Sequence, residues 1–313
     1  MWAYLVRRIL ATIPVLLVVA VVVFLLVNLA PGDPAALLVG DDARTEDIER
    51  VRQRLGLDQP LPVRFVHWVG DLAQGNLGNS VLNSRPVLDL ILQRLEPTAS
   101  LAILSIIIAI VIAIPLGILA AWNAGKAIDR GVMVFAVLSF SFPVFLVGYL
   151  LMYVFSLYWR ILPVQGYTPL AQGLGPWLAN LILPSVALGL VFSALLARMT
   201  RSTMIEVLNE DYIRTARAKG LATRPILFRH ALKNAAVPIV TTIGVAFAAL
   251  IGGVVVTESV FAIPGVGRLT IEAVLQRDYP VVQGVVLFAA FACVMVNLVI
   301  DLSYTFFDPR IRY

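Results

Sequence analysis

Side chains able to do chemistry are few in this chain of 313 residues, and they are scattered. His67 and His230 stand alone, and the one cysteine, Cys293, lies in an apolar run. No internal disulfide can form, and no Cys/His metal site is expected. Gly125-Lys126 is followed by Ala127 and lacks the leading glycine of a phosphate-binding loop. Gly265-Val266-Gly267 is too short for a dinucleotide fingerprint. The sequence contains no Gly-x-Ser-x-Gly, His-Glu-x-x-His or paired-carboxylate arrangement. These absences predict a chain with no catalytic residues, no metal and no cofactor of its own.

A different chemistry resides in Asn209–Pro238, a strongly basic island between two long apolar runs. Asn209 can cap a helix start, and Glu210 and Asp211 sit where the helix macrodipole favours anions. Gly220 fits a C-terminal stop with Lys219 in the last turn. Thr223 offers a second N-cap, and Pro225 falls in a first turn, where a missing N–H costs nothing. The punctuation predicts two short helices joined at Gly220. Tyr212, Ile213, Leu221, Ile226 and Leu227 place apolar groups among the charges, the make-up of a protein-docking surface. Topogenic charge or an anionic-lipid surface would account for the basic residues alone, but neither requires the caps or the glycine break. Docking to a cytoplasmic protein is the expectation.

Apolar runs must hold that segment. Hydrophobic residues make up 60% of the chain and charged residues 14%, with a mean hydropathy of +0.90. A soluble domain carries roughly 25% charged residues, so the chain falls in the membrane class. Six runs reach the roughly 20 residues of a spanning helix: Ile9–Leu29, Ala99–Ala121, Val132–Leu157, Leu178–Met199, Ala235–Val256 and Val281–Phe306. Pro115 and Pro143 predict kinks in the second and third. Arg7 and Arg8 precede the first run as in a secretory signal. That run is too long, however, and Asn28 and Pro31 make cleavage after Ala30 improbable, so a retained span is expected. With a cytoplasmic N-terminus, segments 1–8, 122–131, 198–234 and 307–313 lie inside. They hold 14 of the 24 lysines and arginines against 6 of the 19 acids, Asp301 included. Positive charge thus marks the inside, with both termini cytoplasmic.

The expected organisation is a first span over 1–30, an extracytoplasmic insertion over 31–97, a membrane core over 98–306 and a cytoplasmic tail over 307–313. Within the insertion, Thr45–Leu55 reads as a charged helix with Ile48, Val51 and Leu55 at helical spacing, ended by Gly56, Pro60 and Pro62. Gly244, Ala248 and Gly252 form a small-residue row in the fifth run, shadowed by Ala249 and Gly253. Packing within the subunit and a partner-facing or pathway-lining role both remain open for that row. Asp301 and Asn297 share a face near the inner end of the sixth run, where Asp301 can pair with a loop arginine or contribute to a gate. Glu258, at the outer end of the fifth, is read as structural or pathway-lining. The Pro264-Gly265 turn beyond it is expected to send Phe261 and Ile263 into the outer leaflet or over a cavity. No intramembrane acidic relay is present, which argues against a proton-coupled pump.

The basic segment resembles the EAA loop of ABC importer permeases, a pattern of Glu-Ala-Ala, three residues, Gly, nine residues and Ile-x-Leu-Pro. Arg214-Thr215-Ala216 occupies its first part, Gly220 its glycine and His230-Ala231-Leu232-Lys233 its last part. Ala216, Gly220 and Leu232 match, and the other positions differ. Asp211–Gly220 and Arg229–Ala235 are similar to the variant of the dipeptide/oligopeptide/nickel branch. So are Pro31-Gly32-Asp33-Pro34, Arg277-Asp278-Tyr279-Pro280 and the closing Asp308-Pro309-Arg310-Ile311-Arg312-Tyr313. The long loop after the first span resembles that of the B-type subunit.

This resemblance implies an all-α integral membrane protein with six transmembrane helices of the type I ABC importer permease fold and both termini cytoplasmic. Its partners would be a homologous second permease, two cytoplasmic ATPases that bind ATP and Mg, an extracytoplasmic solute-binding protein and membrane lipid, with no nucleic acid. The implied location is the plasma membrane of a bacterium or archaeon, and the implied cargo is short peptides, with glutathione or nickel complexes as alternatives. The loop 209–234 would be the EAA coupling loop. Glu210, Asp211, Tyr212, Arg214, Thr215, Ala216, Arg217, Ala218, Lys219, Gly220 and Leu221 would form its ATPase-coupling surface. Gly244, Ala248, Gly252 and Glu258 would serve helix packing or the pathway. An ion-coupled secondary carrier is the competing reading; it needs intramembrane charges or an inverted repeat, and neither is evident.

Overall fold

The computed structural model describes residues 2–29, 49, 52 and 58–307. The expected Thr45–Leu55 helix falls almost wholly outside these residues, as do the Pro31–Pro34 and Asp308–Tyr313 motifs and the Asp301 side chain. Among the described residues the protein is all-α. The helices are α1 (Trp2–Leu29), α2 (Leu61–Ala73), α3 (Val87–Trp122), α4 (Ala127–Ser141) and α5 (Val144–Leu151). A π-helical turn, Met152–Tyr158, continues α5. There follow α6 (Leu174–Leu208), α7 (Asp211–Ala218), α8 (Leu232–Val260), α9 (Val266–Leu275) and α10 (Tyr279–Phe307). Four helices among the described residues are long and apolar enough to cross a membrane, or five if the bent pair α4–α5 is one span.

Proline chemistry accounts for the largest departure from the expected spans. The run Val132–Leu157 is not one kinked helix but two helices that meet at 98°. Pro143 cannot donate to the preceding turn, and it drives the residue before it out of the helical region. Phe142 accordingly adopts φ −83° and ψ 130°. Pro60 and Pro62 begin a helix: Pro60 is the N-cap of α2 and Pro62 occupies its first turn. A first turn leaves its N–H groups unbonded in any case, so proline is tolerated there. The second apolar run extends backward, and α3 starts at Val87 with Pro97 inside it.

The chain divides into two compact units, Met1–Leu95 with Leu269–Val294 and Glu96–Arg268 with Met295–Tyr313. In the first, Phe24 of α1 packs on Phe65 and Trp68 of α2, with ring centroids 5.3 and 5.4 Å apart. An apolar cavity of about 600 Å³ lies among Ile13, Leu17, Val69, Leu72, Phe288 and Phe291. Asp278 fastens the turn before α3: its carboxylate accepts Ser80 Oγ and, at 3.2 Å, the Val81 N–H. Arg94 pairs with Glu272 at 3.0 Å.

In the second unit α6 is the central element, with α4, α5 and α8 packed against it. Leu101, Leu181, Leu188, Leu250, Phe261 and Ile263 fill the core toward one end, and Ile118, Met204, Leu208, Ile226 and Ile239 toward the other. Between them α3 and α6 approach closely at two glycines. A Cβ on Gly117 would lie 2.6 Å from Thr200 Cβ and 2.9 Å from the Ala197 carbonyl oxygen. A Cβ on Gly189 would lie 2.9 Å from the Ser105 carbonyl oxygen. Backbone cannot yield as a flexible side chain does, so replacing either glycine by leucine forces the helices apart. Each substitution is expected to cost about 1–3 kcal/mol or more, read as a lowered midpoint of thermal unfolding in detergent.

Candidate functional site

The basic segment begins one residue later than its composition suggests. Asn209 closes α6, its N–H bonded to the Glu206 carbonyl and the next N–H, of Glu210, to that of Val207, and so does not cap α7. Glu210 holds the N-cap position in extended geometry, without a side-chain cap bond, and Asp211 lies in the first turn. At the other end Lys219 is the C-cap, and Gly220 takes φ +79°. The Gly220 N–H reaches the Arg217 carbonyl at 2.9 Å, and the Leu221 N–H reaches Ala216 at 3.2 Å. This pair of bonds around a left-handed residue is a Schellman stop. The second expected helix is not free-standing. Ala222 rather than Thr223 holds its N-cap position, and Thr223–Pro225 runs through a π-helical stretch, Ile226–Ala231, into α8.

Amphipathicity decides how α7 sits. Ile213 is fully buried against Ile118 and Ala121 of α3, Met204 and Leu208 of α6, and Ala231 and Ala235. Ile226 is buried in the same cluster and Leu227 partly so. These three were expected on a docking face; instead they pack inward, where the apolar cluster between α3, α6 and α8 takes their side chains out of water. The outward face carries Glu210, Asp211, Tyr212, Arg214, Thr215, Arg217, Ala218, Lys219, Gly220 and Leu221, all exposed, with Ala216 half-buried. Asn234 Nδ2 donates to the Tyr212 hydroxyl at 2.8 Å, and the Arg217 guanidinium lies 5.4 Å over the Trp122 ring. Asp211 and Arg214 pair at 3.2 Å while both remain largely in solvent, which contributes little to stability.

The small residues of the fifth run differ in their surroundings. Gly244 is pressed against Ile300 of α10, and a Cβ on Gly253 would touch Leu188 at 3.0 Å. Ala248 is half-buried, while Gly252 is exposed and faces open space. Glu258 is fully buried in a polar cradle. Thr98 Oγ1 donates to its Oε1 at 2.6 Å, and the Arg268 N–H donates to Oε2 at 2.8 Å. Thr98 Oγ1 in turn accepts the Val266 N–H at 2.8 Å, so acid and hydroxyl together satisfy the first turn of α9. Gly265 and Gly267 lie against the carboxylate where no side chain would fit. Phe261 and Ile263 are buried in the core rather than projecting outward, because the Ile263 N–H is held by the Glu258 carbonyl at 2.9 Å.

Sequence reasoning missed a bidentate ion pair between Asp129 of α4 and Arg201 of α6. The only local signal was an aspartate in a basic loop; its partner is 72 residues away. Among the described residues no group of three or more His, Cys, Asp or Glu could hold a metal.

An all-α bundle of this form is shared with a chain of the MetNI methionine ABC transporter in its inward-facing conformation. The TM-score is 0.59 at 17% identity, covering 71% of this chain and 97% of that one. The likeness is one of fold. The chain belongs to the family of binding-protein-dependent transport system inner membrane components, whose model matches residues 113–313. The model of that family's N-terminal region matches residues 1–102. A probable peptide ABC transporter permease protein of Sinorhizobium fredii is 50% identical over the full length of both chains. A putative peptide transport system permease of Brucella abortus is 46% identical, again over the whole of both. The glutathione transport system permease GsiC of Salmonella typhi is 44% identical over 99% of each.

Two substitutions test the seating of α7. Ile213→Ala is expected to cost about 2–5 kcal/mol of local stability, and Gly220→Val about 1–2 kcal/mol for a branched residue in left-handed geometry. Both should speed amide exchange across 211–221, while the exchange of α6 stays as in the parent protein.

Proposed function

We propose that this chain is the pathway-forming permease subunit of an ATP-driven importer for short peptides in the bacterial inner membrane. In this reading it spans the membrane six times, with α1 and the bent pair α4–α5 each counted as one span and both termini in the cytoplasm. A homologous second permease completes the pathway. Two cytoplasmic ATPases bind ATP and Mg and carry out all the hydrolysis, and an extracytoplasmic binding protein delivers the cargo. The permease itself is not an enzyme.

The observation that carries this reading is the construction of α7. It is a helix of eight residues, stopped by a Schellman turn, anchored by the buried Ile213 and presenting its remaining length to solvent. A rigid, exposed helix on an apolar seat can be pushed as a unit, which is the property needed to receive motion from an ATPase. Glu210, Asp211, Tyr212, Arg214, Thr215, Ala216, Arg217, Ala218, Lys219, Gly220 and Leu221 form the contact surface, where Ala216 and Ala218 allow close approach. Glu258 supports the outer end of the bundle. The assignment to short peptides draws on the relatives named for peptide and glutathione transport, glutathione being itself a short peptide.

Reconstitution in liposomes with the second permease, the ATPases and the binding protein tests the proposal. Uptake of short peptides should require internal ATP and survive collapse of the proton gradient. Ala216→Trp should abolish uptake by blocking the docking face while leaving the permease folded. Uptake that follows the proton gradient and ignores ATP would instead identify an ion-coupled carrier.

A further inference from the structure

Asp129 lies in the first turn of α4 with 4% of its surface exposed, and both of its carboxylate oxygens are engaged. Arg201 donates from Nε to Oδ1 and from Nη2 to Oδ2, the second bond at 2.7 Å. The Gly125 N–H donates to Oδ2 at 2.8 Å, which ties the turn between α3 and α4 into the same group. A planar guanidinium fork against a carboxylate fixes direction as well as distance. A buried ion pair adds little net stability over apolar packing, since desolvation offsets the attraction; its best-attested use is to fix register.

The register in question is that of α4 on α6. Arg201 lies two turns before the end of α6 at Leu208, and α7 begins at Asp211. Arg198, almost one turn earlier, holds its guanidinium 5.7 Å over the ring of Phe140, close to the 98° bend. Arg217 of α7 stacks on Trp122 at the end of α3. The end of α3, the start of α4, the end of α6 and α7 are thus joined by polar contacts as well as by packing. Beyond the bend, α5 and its π-helical turn expose Phe145, Tyr149 and Tyr153.

We infer that Asp129 and Arg201 are a positioning pair that makes α4 travel with α6 and α7, so that displacement of the docking helix is delivered through the bend to α5. This rests on the reading of α7 as the ATPase contact. Apolar packing alone would let α4 slide along α6; a bidentate bond to a buried carboxylate must break first.

The test uses the reconstituted transporter with all its subunits, carrying Asp129→Asn, Arg201→Lys or the exchange D129R/R201D in the permease. Readouts are complex assembly, basal ATP hydrolysis, its stimulation by loaded binding protein, and the ATP-dependent change in distance between spin labels at Ser202 and Leu150. Asp129→Asn should assemble and hydrolyse ATP at the basal rate while stimulation falls about tenfold, within the usual range of coupling between sites. The distance between the labels, constant in the parent protein, should change with ATP in this variant. Arg201→Lys keeps the charge but loses the fork and should fall between the two, and the exchange should recover most of the stimulation. Full stimulation in Asp129→Asn would overturn the inference. Loss of assembly in all three variants would overturn it as well, by making the pair a folding element. An unmodified complex that binding protein does not stimulate would overturn the functional reading instead.

Discussion

In hydrocarbon two helices gain nothing by hiding apolar surface from each other, because lipid is as apolar as they are. What holds them is close packing, and here that depends on the contact of α3 with α6. Gly117 admits the backbone of α6 near one end, Gly189 admits that of α3 toward the other, and Ala109, Ala113, Leu196 and Ala197 fill the interval. Helices α4, α5 and α8 then find their places against α6. Remove the close approach and none of the later contacts has a fixed surface to form on.

Charged groups are concentrated at the two ends of this pair, not along it. At one end Glu258 and Thr98 hold the first turn of α9, while Glu96 accepts the Tyr167 hydroxyl at 3.0 Å and the Leu170 N–H at 2.9 Å. Burial pushes the Tyr167 phenol above its usual range, and the neighbouring Glu96 pushes in the same direction. At the other end Asp129 and Arg201 tie α4 to α6, and the seat of Ile213 fixes α7. A rod pinned at both ends transmits a push as rotation or translation of the whole and not as bending. That behaviour suits the transport permease proposed above.

Features written locally in the chain are legible from the amino-acid order alone. Composition and the long apolar runs establish the membrane class, and Gly220 announces the end of α7 because a left-handed stop has one favoured residue. Local punctuation misleads where a residue serves two neighbours. Asn209 suits the start of α7, but it lies close enough to α6 to be used as that helix's end. Ile213 and Ile226 read as parts of an exposed surface because a basic segment hides which of its faces is inward. Pro143 signals a kink but not its size, since the angle depends on what α4 and α5 pack against. The Asp129–Arg201 pair is invisible for another reason: its members are far apart in sequence, and neither position says that the other exists.

The π-helical stretch Ile226–Ala231 lies between the Schellman turn and α8. A π turn accommodates one residue more than an α turn, and each residue advances a helix by about 100°. The extra residue therefore acts as a phase setting, fixing the compass bearing of α7 relative to the faces of α8. The exposed side chains of this stretch, Phe228 and Arg229, can vary without disturbing that bearing, but the number of residues cannot. A deletion of one residue would turn α7 by more than a quarter circle, even with every side chain of that helix intact. The length of the segment is thus as much a part of its specificity as its composition.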